Sequence, residues 1–229
     1  MLRLALLAVA VVATPAVALP AAPAPLTVIE LFQSQGCSSC PPANANVNAL
    51  IADRPDILAL SFAVTYWDQL GWKDGFATPA NTQRQWDYAR GLGHAQVWTP
   101  QVVINGRRDI TGTQAQPLAK LIAATPRPAG PVATLNGGKL VIGKGDMPRT
   151  AADVWLVRYD PRTVEVAIKA GENNGRKLPH RNIVRQLTRL GGWSGLPASF
   201  DVAAAPPGLS TAVLVQLPRG GAILAAARG

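Results

Sequence analysis

Apolar and polar positions follow two rhythms along this chain, and the rhythm changes near residue 130. The run Val28-Ile29-Glu30-Leu31-Phe32 is almost unbroken, as in a strand buried on both faces of a layered α/β sheet. Ala43, Val47, Leu50 and Ile51 then recur at helical spacing. Ile57 to Val64 reads as a second buried strand, and strand–helix–strand order predicts a parallel pair. Residues 66–76 carry two Trp and two Gly with little periodicity, a loop at the end of that strand. A helix is expected over residues 81–92 with Trp86 and Ala89 facing inward. Gln101–Ile104 and Arg107–Ile110 flank Asn105-Gly106, the strongest short hairpin signal. A closing helix is expected over 114–124.

Past the Pro- and Gly-rich stretch 126–131, which reads as a linker, short alternating runs are punctuated by turn residues. Segments 132–135 and 139–142 flank Asn136-Gly137-Gly138, 153–159 and 163–170 flank Asp160-Pro161, and 211–217 and 222–227 flank Pro218-Arg219-Gly220. This spacing predicts a small antiparallel sandwich. Residues 182–190 fit either period: Ile183, Val184, Leu187 and Leu190 form a helical stripe opposite Arg181, Arg185 and Arg189, but the neighbouring strands favour a strand.

The ends and the charge refine this division. Arg3, the apolar run Leu4–Ala13 and Ala16-Val17-Ala18 predict an export signal over 1–18, cleaved after Ala18. A Pro/Ala-rich leader follows over 19–26. Pro15 and Pro20 break the apolar run well short of the roughly 20 residues a membrane span needs. The expected location is therefore periplasmic or secreted, where disulfides persist, with no transmembrane segment in the mature chain. The formal charge is +9. Residues 27–129 hold 8 Lys/Arg and 7 Asp/Glu, while 130–229 hold 13 and 6, so the excess of +7 lies in the second half. Nucleic-acid binding is set aside, since aromatic or groove-reading patterns are absent. Arg176, Lys177, Arg181 and Arg185 are candidate contacts for acidic partners. No phosphate loop and no Gly-x-Ser-x-Gly elbow occurs.

The candidate chemistry is Cys37-Ser38-Ser39-Cys40, the only two cysteines, between the first strand and its helix. With Thr99-Pro100 opening the later hairpin, this is the order of a thioredoxin-like domain. Glu30-Leu31-Phe32, Gln35–Pro42, Tyr66-Trp67-Asp68, Gly71-Trp72-Lys73-Asp74, Thr99–Val103 with Asn105-Gly106, Gly171-Glu172-Asn173, Gly175-Arg176 and His180–Arg185 resemble a family of secreted bacterial thioredoxin-like proteins of unassigned function. The resemblance covers the chain from about Val28 onward. It implies an α/β thioredoxin-like domain over 27–125, followed by a small all-β, sandwich-like domain over 132–229.

The expected activity is thiol–disulfide exchange with protein thiols or disulfides. No cofactor is called for. Cys37, ahead of the helix, is expected to be the exposed nucleophile, its thiolate favoured by the helix N-terminus. Cys40, one turn in, would resolve the mixed disulfide. The resemblance implies a cis Thr99–Pro100 bond opposite the cysteines, with the Thr99 backbone pairing a substrate segment. It also implies Glu30 as a buried acid that takes the proton of the resolving thiol. Two other readings stay open. The pair can be an inert structural disulfide on a binding module, although so short a loop constrains the unfolded chain little. Alternatively the thiols handle a soft metal such as copper, although a closed zinc site needs four ligands. Glu30 can instead be an acid paired with an Arg, and the polar stretch 171–185 can be a loop whose groups satisfy one another.

Overall fold

The computed structural model describes residues 25–229; the expected export signal and most of the leader lie outside the described residues. Strand β1 (Thr27–Gln33) is buried throughout, leads through the cysteine turn into α1 (Cys40–Asp53), and returns as β2 (Ile57–Ala63). β1 and β2 run parallel with Thr27 beside Ile57 and Gln33 beside Ala63. A single turn of 3₁₀ helix at Asp68–Leu70 precedes α2 (Pro79–Leu92). Thr78 caps α2 by accepting the Asn81 N–H, and Gly93 ends it in the left-handed region at φ 78°. β3 (Gln101–Ile104) lies antiparallel to β1 and turns into β4 (Arg108–Ile110). Both turn residues, Asn105 and Gly106, have positive φ, as the Asn-Gly pair predicts. α3 (Ala115–Ala124) closes this half.

The second half is all strand: β5 (Ala133–Asn136), β6 (Lys139–Ile142), β7 (Ala152–Asp160), β8 (Val164–Ala167), β9 (Lys177–His180), β10 (Ile183–Trp193), β11 (Ala198–Asp201), β12 (Ser210–Gln216) and β13 (Ile223–Arg228). These do not form a separate body. One eight-stranded mixed sheet runs β13-β12-β7-β10-β2-β1-β3-β4, so the stretch 126–131 interrupts neither sheet nor core. The join is narrow. β10 meets β2 in parallel at Ile183 beside Ser61, the Ser61 N–H donates to Asn182 O at 2.9 Å, and Asn182 Nδ2 donates to Ala59 O at 2.7 Å. Gly130 N–H to Leu224 O (2.9 Å) and Arg127 to Asp56 (2.6 Å) fasten the proline-rich stretch itself.

Three apolar clusters follow from the strand alternation. Ile29 and Leu31 pack with Ala43, Val47, Leu118 and Ile122 on the α1/α3 face. Val28 and Phe32 point the other way, into a cluster with Tyr88 of α2 that also takes in Val157, Val184, Ala212 and Leu214 of the second half. The third cluster, around Leu140, Ile142, Trp193, Val213 and Val215, joins the β11-β6-β5 sheet to the far end of the large one, giving a layered sandwich there. The two-stranded β8–β9 hairpin stands apart and lies on α1, where Asn48 Nδ2 donates to Pro179 O at 3.2 Å.

Two expectations change, and the strand favoured over residues 182–190 is found. Trp86 is 37% exposed, and the inward face of α2 is Asn81, Arg84, Gln85, Tyr88 and Ala89, a mostly polar stripe that apolar periodicity does not detect. β7 pairs with β10 and β12 rather than with the segment that follows it. Residues 183–193 are a strand, and register shifts at Val184/Gln186 and Arg189/Gly191 carry its apolar residues off strict alternation. Those shifts explain the helix-like spacing. No helix among the described residues is long and apolar enough to cross a membrane.

Candidate active site at the Cys37–Cys40 loop

Cys37 and Cys40 are joined as a disulfide at the start of α1. Cys40 is the first helical residue. Pro41 and Pro42 follow in the first turn, where a missing N–H leaves no helical bond unmade. Ser39 occupies the cap position without capping. Its Oγ instead lies 3.4 Å from Cys37 Sγ and donates to Thr99 O at 3.4 Å. The Thr99–Pro100 bond is cis, and Trp67 Nε1 donates to Thr99 Oγ1 at 2.8 Å. Cys37, Cys40, Thr99 and Pro100 are thus brought together, with Ser39 as the bridge. One expectation fails here: Cys37 is not an exposed residue. Both cysteines are 0% exposed, and only Ser38 and Ser39 of the motif reach the surface.

The polar stretch expected as a self-satisfied loop grips this site. The turn between β8 and β9 reaches the cysteine loop. Buried Asn173 donates through Nδ2 to Gln35 O and to Cys37 O, each at 2.9 Å. Arg176 Nη1 donates to Asn173 Oδ1 at 2.9 Å and fixes its orientation. Exposed Glu172 accepts the Ser38 N–H at 3.1 Å. Hydrogen bonding from Ser38, through its side chain first and its amide second, holds the Glu172 carboxyl below its usual range. Gly171 has φ 70°, and a Cβ there would come within 3.3 Å of Trp72 Cβ, so the approach calls for glycine.

A third side of the loop is held by the segment before α2. Buried Asp74 accepts the Gln35 N–H through Oδ2 and the Phe76 N–H through Oδ1, each at 2.8 Å. Trp72 Nε1 donates to Gln35 Oε1 at 2.8 Å. Burial pushes Asp74 up to about 6 against the lowering effect of those two amides. Beside it, His180 packs edge-on against Phe76, and neither of its ring nitrogens has a protein partner. Burial lowers His180 to about 4. Arg185 lies over the other part of this group, 5.1 Å from the Phe76 ring centre.

Glu30 requires a correction. It sits on the α2 face of β1, whereas α1 packs on the opposite face. Its carboxylate is taken by Arg84 through Nε–Oε1 (2.6 Å) and Nη2–Oε2 (3.1 Å), and by a short hydrogen bond from the Tyr88 hydroxyl. Gln216 completes the network, accepting from Arg84 at 3.0 Å and donating to Tyr88 at 3.0 Å. This pairing favours the paired-acid reading over a proton acceptor for Cys40. Strand alternation places an acid at this position on the face away from the cysteine helix.

Of the basic residues expected to meet acidic partners, Arg176 is engaged with Asn173, Lys177 pairs with Glu165 and Arg185 covers Phe76. Residues missed as site members are Gln35, Asp74 and Asn173. Each stands inside a segment that carried the family resemblance, but nothing in local spacing shows that 71–74 and 171–176 converge. The described residues contain no group of three His, Cys, Asp or Glu placed to hold a metal. A groove of about 410 Å³ between β5 and β13, lined in part by Leu26, Val132, Leu135 and Leu224, shares no residue with the cysteine loop. Chemically, the arrangement offers one reducible S–S bond at a helix N-terminus, straddled by two carboxylates that each hold a loop amide.

No match is found among curated proteins. Among solved structures, the X-ray structure of protein AGR_C_4864 from Agrobacterium tumefaciens, a structural-genomics target, is 31% identical with a TM-score of 0.74, over 88% of this chain and 92% of that one. HBP35 of Porphyromonas gingivalis is 13% identical with a TM-score of 0.60, over 90% of this chain and 74% of that one, a likeness of fold alone. The family model described as "Protein of unknown function (DUF1223)" matches residues 28–216. The chain therefore belongs to that family.

Proposed function

We propose that the first half is a thioredoxin-like unit and that the chain is an exported thiol–disulfide oxidoreductase acting on protein thiols or disulfides outside the cytoplasm. One observation carries this reading: the Cys37–Cys40 disulfide opens α1 while Ser39 ties it to the Thr99–Pro100 segment. In the reducing direction, the Cys37 thiolate attacks one sulfur of a substrate disulfide. A mixed disulfide forms and one substrate thiolate leaves. The Cys40 thiolate then attacks Cys37 Sγ, closes the Cys37–Cys40 bond and releases the second substrate thiolate. Two electrons pass to the substrate, and the reverse sequence oxidises a substrate dithiol. Reducing the pair again takes a protein or small-molecule dithiol, and the helix N-terminus favours the Cys37 thiolate in either direction.

Complete burial of both cysteines favours a second reading, an inert disulfide in a binding module. Equilibration with glutathione separates the two. A potential between about −120 and −270 mV belongs to an exchanging pair, and one well below about −300 mV to a structural bond.

A further inference from the structure

We infer that Glu172, delivered by the β8–β9 turn, is a positioning residue that sets the redox poise of the Cys37–Cys40 pair, holding it toward the disulfide. The inference rests on the oxidoreductase reading for its purpose, though not for its measurement. Glu172 accepts the amide hydrogen of Ser38, the residue that immediately follows Cys37. That amide lies just ahead of the cap residue Ser39, at the N-terminal end of α1 whose partial positive charge favours a Cys37 thiolate. Glu172 occupies that donor and places a negative charge at the peptide that joins Cys37 to Ser38. A thiolate forming there meets a like charge, which disfavours the anion. Since the dithiol form gains stability from its thiolate, an anion beside Cys37 shifts the couple toward the disulfide.

The other charged groups around the loop include Asp74, Arg176 and Arg185. Asp74 accepts the Gln35 N–H on the near side of Cys37 and has the same sign when ionised. Arg176 is hydrogen-bonded to Asn173 Oδ1 and Arg185 is stacked over Phe76, so neither guanidinium is bonded to Glu172. The neighbouring Asn173 keeps the carboxylate in place by fastening the same turn to Gln35 O and Cys37 O. The second half of the chain therefore acts on the chemistry of the first through one turn.

The test is a series at Glu172 in the full chain, equilibrated at pH 8 with glutathione, or with dithiothreitol if glutathione does not reduce the pair. Each equilibrium transfers two electrons and two protons from two thiols of the buffer to the Cys37–Cys40 bond. Glu172→Gln keeps an acceptor for Ser38 and removes the charge; Glu172→Lys reverses it. The dithiol fraction is expected to rise in the order Glu, Gln, Lys. The first step should change the equilibrium constant by about threefold to tenfold, where tenfold is about 30 mV for this couple. The alkylation half-point of Cys37 should move to lower pH in the same order. Both shifts should shrink in 1 M salt, where screening acts over about 3 Å. Glu165→Gln, on the same hairpin but paired with Lys177, should change neither. Equal constants and half-points across Glu, Gln and Lys would overturn the inference. So would a Gln variant like wild type beside Lys and Ala variants altered alike, since that pattern belongs to a lost hydrogen bond rather than a charge. A wild-type potential well below about −300 mV with the ordered shift intact would sink the oxidoreductase reading and leave the role of Glu172 standing.

Discussion

Two buried polar networks join the halves of this molecule, and they are built on opposite principles. Around Glu30, every strong group is matched: Arg84 spans the carboxylate, Tyr88 donates to it, and Gln216 of β12 ties both partners down. Around Cys37 the partners from other segments mostly hold the backbone, and the sulfurs are bonded to each other with Ser39 Oγ 3.4 Å from Cys37 Sγ. Asn173 takes two carbonyls, Asp74 and Glu172 take two amides, and the one covalent bond can be broken by electron transfer. A closed ionic network stabilises an architecture; a loop held mainly by its peptide groups can change redox state without losing its support. Burial of an acid thus says little about catalysis until its partners are known.

Breaking the first network should have the largest effect. Arg84→Ala leaves Glu30 in the core without its cation, and removing one partner of a buried pair costs about 3–5 kcal/mol. Urea unfolding would read this as a lowered midpoint. Glu30→Gln, by contrast, should leave the alkylation half-point of Cys40, read in a Cys37→Ser background, where it is; a shifted half-point would restore the proton role to Glu30.

The second network carries two buried titratable groups with opposite signs. His180 falls to about 4 in the folded state from 6.5, so its neutral form is favoured. Its contribution is present above about pH 6.5 and is lost as pH falls toward 4. Asp74 rises to about 6 from 3.8, so its contribution is present at low pH and is lost as pH rises through 6. Each shift corresponds to roughly 3 kcal/mol at about 1.4 kcal/mol per unit. Between pH 4 and 6 the two oppose each other. Relative to wild type, Asp74→Asn should lose stability on acidification across that window, and His180→Gln should gain it. Parallel slopes in the two variants would contradict these assignments.

The smallest of the three effects separates holding from charge. Asn173→Ala deprives Gln35 O and Cys37 O of a buried donor, at about 1–3 kcal/mol, and should speed alkylation of the reduced Cys37 by loosening its cover. A variant with wild-type stability and labelling rate would show that the turn only rests on the loop.

The first half was largely legible in sequence because its signals are local. Unbroken apolar runs gave β1 and β2, Asn105-Gly106 gave the hairpin, and the cysteine spacing with its prolines located the start of α1. The second half was legible as strands and in the hairpins β5–β6 and β12–β13, but not in the pairings of β7, β8 and β10. Its bulged β10 blurs the period of two, and the single parallel contact that joins it to β2 leaves no mark on either segment. The site was half legible for the same reason. Cys37, Cys40, Thr99 and Pro100 lie in motifs, whereas Asn173 reaches the loop across 136 residues of chain. The inward face of α2 was misread because Arg84 and Gln85 are buried by pairing rather than by hydrophobicity.

The account depends most on whether Cys37–Cys40 exchanges electrons with thiols. The direct measurement is the dithiol fraction of the wild-type chain across a series of glutathione ratios, followed by intact mass after alkylation. The account predicts a two-electron transition with a midpoint between about −120 and −270 mV, displaced toward the dithiol in Glu172→Gln. A pair that stays fully oxidised until well below about −300 mV would contradict it and mark the bond as structural.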